Sequence, residues 1–435
     1  MKYFGIDDIF ASFNWMWRDQ NSLFEKEFAK YIGTKFALGT SYGRTALYLG
    51  LRAIDVRDRE VIIPSFICTV VRHAVVAAGG IPRFVDIDLE NFTYDVSDLK
   101  KKISDRTKAI ILVHYFGRVA RNMEEVIQVA REKKIALVED CAHSLGAEYQ
   151  GEKIGTFGNF AIFTLTKNTL NFGGGVLVTN NLDIYKNAKR ILKNEKIPLK
   201  KRLVDFPIII AYGIEQIVDK LLLETTKNHN LKSLLINLPS FLLKIRKVVI
   251  GIGKQVLSFL GSKPGQAKYS KVWTEARAFI GYEQTIHMEP IVASVGRSQL
   301  KKVDSLNEQR KKIAIDLSNL SNCHFRNSDG FIGKDVYTQI VLRFPQNNIF
   351  QMIDECKNTG MLLKATWPTH QKLWEGQATK NVKTIEKEFL TWNINPDLSE
   401  EEIKRFIKVV SECVNEGNSK LGTRNSELET RNSKL

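Results

Sequence analysis

The chain has 435 residues, and its 43% apolar and 26% charged residues are typical of a folded globular protein and not of a disordered or collagen-like chain. Its 64 Lys and Arg residues outnumber its 48 Asp and Glu residues, which gives a formal net charge of +16. Such a surplus suits three classes of partner: nucleic acid, an anionic membrane or an acidic ligand. Five cysteines without zinc-type spacing favour a reducing cytoplasm.

The N-terminal residues do not have the pattern of a signal peptide. Asp7, Asp8 and Arg18 would fall in its apolar centre, so export is not expected. No apolar run in the sequence reaches the roughly 18 residues that a membrane-spanning helix needs. We therefore predict a cytoplasmic protein.

Residues 36–180 alternate short β-branched runs with helical patterns. The predicted strands are residues 36–38, 61–63, 83–85, 109–113, 135–139 and 176–179, and the predicted helices are residues 44–54, 67–78 and 123–133. Nearly continuous apolar strands separated by helices are typical of a parallel sheet that is covered on both faces. We therefore expect an α/β fold, with a mostly parallel mixed sheet in a large domain of residues 1–185 and ligands at the carboxyl ends of the strands.

Most of the excess charge lies in one stretch. Residues 181–280 contain 19 Lys and Arg and 7 Asp and Glu, a net charge of +12, and residues 239–260 carry an apolar residue at every third or fourth position. We predict a basic amphipathic helical insertion over residues 186–280. Such helices pack on a protein core, on a partner or on a membrane surface, and the core is the commonest of these.

The remaining residues predict a smaller domain and a tail. A strand is predicted at Val336–Leu342 and a capped helix from Ser399, within an α+β domain of residues 281–417. Residues 418–435 repeat a seven-residue pattern with one leucine in each repeat. One apolar position per heptad is too few for a coiled coil, so we predict a disordered tail.

The first candidate site is Gly39–Gly43, with the sequence GTSYG between a predicted strand and a predicted helix. As GxSxG it matches the nucleophile turn of α/β-hydrolases, but it follows the first strand and leaves no room for their oxyanion loop. The free N–H groups at the start of the next helix suit a phosphate. From this segment alone, a phosphate-binding turn and a plain structural turn both stay open.

The second candidate site is Val138–His143, at the end of an apolar strand. A carboxylate at the carboxyl end of a buried strand is costly unless it pairs with a cation, which makes Asp140 a functional candidate. For His143 by itself, a structural histidine is the commoner interpretation. Cys141 and His143 lack the further ligands that a metal ion requires, so no metal site is expected.

The third candidate is Lys167, in a short polar stretch between two apolar strands and just before the glycines at 173–175. A lysine in such surroundings can lose its proton and attack an aldehyde, although a surface lysine is the common alternative. In combination, the three candidates supply what pyridoxal 5′-phosphate needs: an amine for its aldehyde, a carboxylate for its ring nitrogen and N–H groups for its phosphate.

The chain resembles the DegT/DnrJ/EryC1/StrS aminotransferases, fold-type I pyridoxal-phosphate enzymes that mostly aminate nucleotide-linked keto sugars. The resemblance covers about residues 20–185 and 280–415. The segments that carry it are, in order, FEKEFAKYIG at 24–33, GRTAL at 43–47, EVIIPSF at 60–66, FVDID at 84–88, VHYFG at 113–117, EDCAHSLG at 139–146, GTFG at 155–158, Lys167-Asn168 with the glycine run, ASVGRSQL at 293–300 and residues 360–370.

The resemblance implies a role for each matching residue. Lys167 would form the Schiff base with the cofactor and move the proton, Asp140 would pair with the ring nitrogen, and His143 would lie near the phenolic oxygen. The residues expected to bind the phosphate are Gly43 and Arg44, through N–H groups, and Thr164, through its hydroxyl. The resemblance also implies a homodimer with its sites at the subunit interface.

The chain departs from the family pattern at three places. Cys68 stands where an aromatic residue usually stacks on the cofactor ring, and the stretch before Lys167 is two residues shorter than usual. Residues 285–287 replace an Asn-Tyr-Arg segment that reaches into the neighbouring subunit's site. We expect Cys68 to contact the cofactor. The predicted substrate contacts are His114, His287 and His370.

The resemblance predicts an aminotransferase that moves an amino group, from glutamate, to a nucleotide-linked keto sugar in polysaccharide or glycoconjugate synthesis. Two alternatives stay open: an inactive, membrane-associated scaffold or regulator, and a dehydratase of the same family, whose members carry histidine where Lys167 stands. The basic stretch has no nucleic-acid-binding motif, so no nucleic acid is expected. Its lysines and arginines predict peripheral contact with an anionic membrane through residues 200–270.

Overall fold

The computed structural model describes residues 6–14, 19–193 except 170 and 172, 287–318, 333–344 and 379–412, with isolated positions between 320 and 377. By their contacts, residues 1–192 and 287–435 form one unit and residues 193–286 a second one. Nearly all of the predicted basic insertion, and the predicted tail at 418–435, lie outside the described residues. The domain boundaries stay predictions.

The first unit alternates strands and helices along the chain. The strands are β1 Phe36–Thr40, β2 Glu60–Pro64, β3 Ile81–Val85, β4 Thr107–Val113, β5 Ala136–Asp140, β6 Glu148–Tyr149, β7 Glu152–Lys153, β8 Phe160–Thr164, β9 Gly175–Thr179, β10 Gly333–Lys334, β11 Gln339–Arg343, β12 Lys364–Ala365 and β13 Phe389–Asn393. The helices are α1 Ile6–Phe13, α2 Gln20–Ile32, α3 Gly43–Ala53, α4 Thr69–Ala77, α5 Val96–Lys102, α6 Met123–Glu132, α7 Leu165–Asn168, α8 Leu182–Lys193, α9 Pro290–Leu300, α10 Val303–Ser318, α11 Lys380–Glu388 and α12, residues 400–412.

Seven strands form the central sheet, in the order β1-β9-β8-β5-β4-β2-β3. Neighbouring strands from β8 to β3 are parallel, whereas β9 is antiparallel to both β8 and β1. Six strands therefore point the same way and β9 alone is reversed. The carboxyl ends of the six strands meet at one edge, as the predicted mostly parallel mixed sheet requires.

Close packing fixes the helices on the sheet. The ring of Phe160 on β8 lies so near α3 that a methyl group at Gly50 would come within 2.2 Å of it. At α4 the predicted helix begins two residues too early, because Cys68 has extended backbone at the N-cap and Thr69 is the first helical residue. Helix α8 continues to Lys193, so the predicted start of the insertion at 186 falls inside this helix.

The C-terminal elements form a three-stranded antiparallel sheet in the order β11-β13-β12. Helix α12 packs on it, with the rings of Phe406 and Trp392 stacked at 3.9 Å between centroids. The helix begins as its capping pattern predicts: the Ser399 N–H donates to the Glu402 carboxylate at 2.8 Å, and the Glu402 N–H donates to the Ser399 hydroxyl at 3.3 Å. None of the described helices is long and apolar enough to cross a membrane.

The loop after β4 joins these elements to the central sheet. The N–H groups of Val336 and Tyr337 donate to the carbonyl of Gly117, whose φ is +84°. A methyl group at Gly117 would lie 2.5 Å from the N atom of Thr338, so only glycine fits this contact. The loop after β4 is thus held at the edge where the carboxyl ends of the strands meet.

Candidate active site

Asp140 is the last residue of β5, between β4 and β8. Its side chain is buried, and its Oδ1 accepts a hydrogen bond from the Ala142 N–H at 3.0 Å. Burial raises the pKa of Asp140, while that N–H and the positive charge of Lys167 act in the opposite direction. A carboxylate in such a place is stabilised by any further cation that is brought next to it.

Lys167 lies on α7, the single helical turn that follows β8. Its Nζ is 2.5 Å from Nε2 of His143. The side chain as a whole is exposed. The protein around the amine nevertheless desolvates its charged form, which lowers the pKa of Lys167. Negative charge on Cys68 and Asp140 acts in the opposite direction and raises this pKa. The amine is therefore easier to deprotonate than that of an ordinary lysine.

His143 is buried three residues after the end of β5. Burial, and next the charge of Lys167, hold the pKa of His143 well below its usual range. The imidazole is therefore neutral at pH 7 and can share a proton with the amine at 2.5 Å. Nδ2 of Asn168 donates to the His143 carbonyl at 3.0 Å, which ties the histidine loop to the turn that carries Lys167.

The predicted phosphate turn lies beside the carboxyl end of β8. A methyl group at Gly43 would come within 3.2 Å of both the Phe163 carbonyl oxygen and the Thr164 Cβ. At Gly175, on β9, a methyl group would lie 2.1 Å from the carbonyl carbon of Tyr42. Two glycines therefore allow β8 and β9 to approach the start of α3.

Backbone N–H groups are the donors that this turn offers. The N–H groups of Thr45 and Ala46 both donate to the Tyr42 carbonyl, whereas Gly43 and Arg44 stand in the first turn of α3, where a helix offers no carbonyl to their N–H groups. These two N–H groups can bind an anion. The nearby Thr164 hydroxyl lies 3.4 Å from the Gly174 carbonyl and 3.2 Å from the Thr166 hydroxyl.

Cys68 is a half-buried free thiol at the N-cap of α4. It lies near enough for its negative form to raise the pKa of Lys167. The structure thus brings together, at the carboxyl edge of the sheet, Lys167, Asp140, His143 and Cys68, with Gly43, Arg44 and Thr164 at the neighbouring turn.

The three predicted substrate histidines have different positions. His287 forms an isolated antiparallel bridge with Thr40, at the end of β1. His370 lies outside the described residues. His114 is fully buried: its Nδ1 accepts from the Ala120 N–H at 3.1 Å, and its Nε2 lies 3.4 Å from the Glu139 carboxylate. We therefore correct the expectation for His114, because a buried ring held by the protein at both nitrogens has a structural role.

Ligand atoms of His114, Glu139 and Cys141 lie within 4.8 Å of one another, the arrangement of a possible metal site. The Glu139 carboxylate already accepts three backbone N–H groups at 2.7–2.9 Å, from Gly155, Phe157 and Gly158. Donors aimed at both of its oxygens suit a carboxylate that holds a loop and not one that binds a cation. Glu139, like Asn168, is a residue whose part in this region the sequence did not indicate.

Comparison with known proteins gives a consistent result. The model of the DegT/DnrJ/EryC1/StrS aminotransferase family matches residues 6–202 and 253–411. An uncharacterized protein of Methanocaldococcus jannaschii is 39% identical over 169 residues, 38% of this chain and 44% of that protein. The GDP-perosamine synthase of Escherichia coli O157:H7 is 36% identical over 165 residues, 37% of this chain and 45% of that enzyme. The chain spans about half the length of the curated relatives it matches.

Solved structures share the fold. The aminotransferase from Psychrobacter cryohalolentis matches with a TM-score of 0.68 at 18% identity, over 94% of this chain and 96% of that chain. Together with the seven-stranded sheet, this likeness confirms the predicted α/β fold of the fold-type I enzymes.

Proposed function

Because the chain belongs to the DegT/DnrJ/EryC1/StrS aminotransferase family, we propose that it is an aminotransferase that moves an amino group from glutamate to a nucleotide-linked keto sugar. Pyridoxal 5′-phosphate is the cofactor of this family. The observation that carries the proposal is the meeting of Lys167, His143 and Asp140 at the carboxyl ends of β5 and β8.

The residues at this edge fit the cofactor. Lys167 offers an amine with a lowered pKa to the aldehyde, and Asp140 offers a buried carboxylate to the ring nitrogen. The N–H groups of Gly43 and Arg44 would bind the phosphate, with the Thr164 hydroxyl as a further donor. When bound, the cofactor supplies an electron-accepting ring to which the amino group can be transferred.

The side chains around the amine support proton transfer. Lys167 must give up a proton before it can attack a carbonyl or take a proton from a substrate carbon, and its lowered pKa favours this. Neutral His143 holds Nζ in place through the 2.5 Å contact and does not add a competing positive charge. Cys68 borders the same amine, and we retain it as a cofactor contact.

The substrate and the assembly are proposed on the same basis. The nucleotide-linked keto sugar, glutamate as amino donor and a homodimer with its sites at the interface are family properties, and we extend them to this chain. His287 remains the proposed substrate contact among the described residues, and its bridge to Thr40, just before the proposed phosphate turn, supports this. His370 stays a prediction.

Absorption spectroscopy tests the function. The purified protein, reconstituted with pyridoxal 5′-phosphate, should show a visible band that glutamate bleaches. Lys167→Ala should lose the band, and its transfer rate should fall by about 10⁴-fold, the upper range for a group that transfers protons. Lys30→Ala, at an exposed position on α2, is the matched control and should keep both.

Two outcomes would count against the proposal. A protein that cannot be reconstituted with the cofactor contradicts the enzymatic function altogether. A protein that gains the band, but whose band no amino donor bleaches, favours the inactive scaffold.

We further propose that residues 200–270 bring the protein to an anionic membrane surface. The argument is their share of the net charge of +12 over residues 181–280, since each Lys or Arg near anionic lipid contributes about 1 kcal/mol. The full chain should sediment with phosphatidylglycerol vesicles and not with phosphatidylcholine vesicles. If a chain without residues 200–270 sediments equally well, the proposal is wrong.

A further inference from the structure

Arg310 on α10 is buried, although most arginines in proteins remain exposed. Its side chain is 1% exposed. Nη2 donates to the carbonyl of Asn168 at 2.7 Å, and Nη1 donates to Oδ1 of Asn307 at 2.8 Å. Both of these acceptors are neutral, so these bonds alone do not balance the charge of the guanidinium. The two bonds connect α10 to the turn that carries Lys167 and, through Asn307, to the His143 loop.

The first bond fixes the turn that carries Lys167. Asn168 is the last residue of α7, next to the lysine, and the last carbonyls of a helix have no donor within it. Arg310 supplies that donor from another part of the chain. The backbone at the base of the Lys167 side chain is therefore held by a guanidinium whose own position is set by burial in the core.

The second bond leads to the loop of His143. Asn307 accepts from Arg310 and donates through Nδ2 to the carbonyl of Leu145 at 2.9 Å. The Asn168 side chain donates to the carbonyl of His143 at 3.0 Å. The Lys167 turn and the His143 loop are thus tied to each other and to one turn of α10.

We propose that Arg310 is a positioning residue, which keeps Nζ of Lys167 against Nε2 of His143 by joining the α7 turn to the His143 loop. The proposal deepens the proposed function and rests on it. The contact concerned is only 2.5 Å long and joins the two segments that Arg310 and its partners connect. A displacement of about 1 Å at such a place is enough to reduce a rate by about 10²-fold.

The test compares Arg310→Met, Arg310→Lys and the control Arg297→Met in the full chain. Methionine fills much of the space but donates no hydrogen bond, whereas lysine can still donate to the Asn168 carbonyl. Arg297 is a partly buried arginine on α9 that donates to Gln20 and Glu27, both on α2. Its substitution measures the general cost of losing a partly buried arginine together with its hydrogen bonds.

The main measurement uses the protein freed of cofactor. Acetic anhydride labelling of Lys167, read by mass spectrometry across pH, reports how much of its amine is neutral. Arg310→Met should raise the pKa of Lys167 by about one unit, so that labelling at pH 8 falls about tenfold, because the amine leaves the surroundings that desolvate it. Arg310→Lys should restore most of the labelling, and Arg297→Met should leave it unchanged even if its Tm falls.

An Arg310→Met protein that is folded and labels like the wild type overturns the proposal. If that variant does not fold, Asn307→Ala takes its place, since it removes the links to Arg310 and Leu145, and unchanged labelling again overturns the proposal. Failure of the proposed function is distinguishable. A wild-type protein that takes up no pyridoxal 5′-phosphate contradicts that function, while the labelling comparison, made without cofactor, still decides the role of Arg310.

Discussion

Two buried carboxylates stand side by side at the end of β5, and their surroundings differ. Glu139 and Asp140 point to opposite faces of the sheet. Glu139 accepts three backbone N–H groups from the turn at 155–158 and lies 3.4 Å from a nitrogen of His114. Asp140 accepts one backbone N–H and faces the charge of Lys167. The Glu139 carboxylate stabilises the turn at 155–158, whereas the Asp140 carboxylate can still accept hydrogen bonds from a ligand.

Of the two carboxylates, Asp140 should give the larger effect, in the variant Asp140→Asn. Without the negative charge that is proposed to face the ring nitrogen, transfer should slow by about 10³-fold, the loss that follows removal of one strong electrostatic partner. Stopped-flow measurement of amino transfer checks this. A change of less than about tenfold would contradict the role of Asp140.

The same variant should alter the pH dependence of stability. Burial raises the pKa of Asp140 in the folded protein, so between the unfolded pKa of 3.8 and the raised value the folded chain binds more protons than the unfolded chain. Stability without cofactor therefore falls as the pH rises through this interval, and Asp140→Asn should lack that fall. Urea unfolding at several pH values measures it, and identical profiles would contradict the predicted direction.

The variant Glu139→Gln should lower the stability of the fold and leave cofactor binding unchanged. The new amide group turns N–H donors toward backbone N–H groups, so the free energy of unfolding should fall by about 1–3 kcal/mol. Cofactor absorption per folded molecule should stay the same, because the Asp140 side is not changed. Glu148→Gln, which removes a partly exposed partner of Lys153, is the matched control and should cost at most about 1 kcal/mol. If Glu139→Gln loses the absorption band but keeps its full stability, the structural role proposed for Glu139 is wrong.

The sequence predicted the Asp140 side better than the Glu139 side. Strand ends can be read from apolar runs, and parallel strands bring their ends to one edge, so the sequence alone predicts that Asp140 and Lys167 lie near each other. The two adjacent carboxylates look alike in sequence. Which carboxylate has its oxygens occupied by backbone N–H groups depends on a turn 16 to 19 residues further along the chain, and no local sequence pattern predicts that contact.

Other residues show the same limit. His114 lies in a motif that resembles the family, yet its ring contacts Ala120 and Glu139. Its position in the sequence did not indicate these two contacts. Arg310 is more than 140 residues from the lysine turn that it contacts. In the sequence Arg310 looks like any other basic residue of an amphipathic helix. The pattern of apolar residues along a helix does not indicate which distant backbone atom the helix contacts.

The pairing of β1 with β9 bears on how the protein is made. Thr40, just before the proposed phosphate turn, lies opposite Gly175, and contacts of such long sequence separation slow folding. On the ribosome, the turn therefore emerges far ahead of the strand that fixes its place, while Lys167 emerges only shortly before that strand. The proposed cofactor site depends on β9 for its shape, because Gly175 packs against Tyr42 at the start of α3.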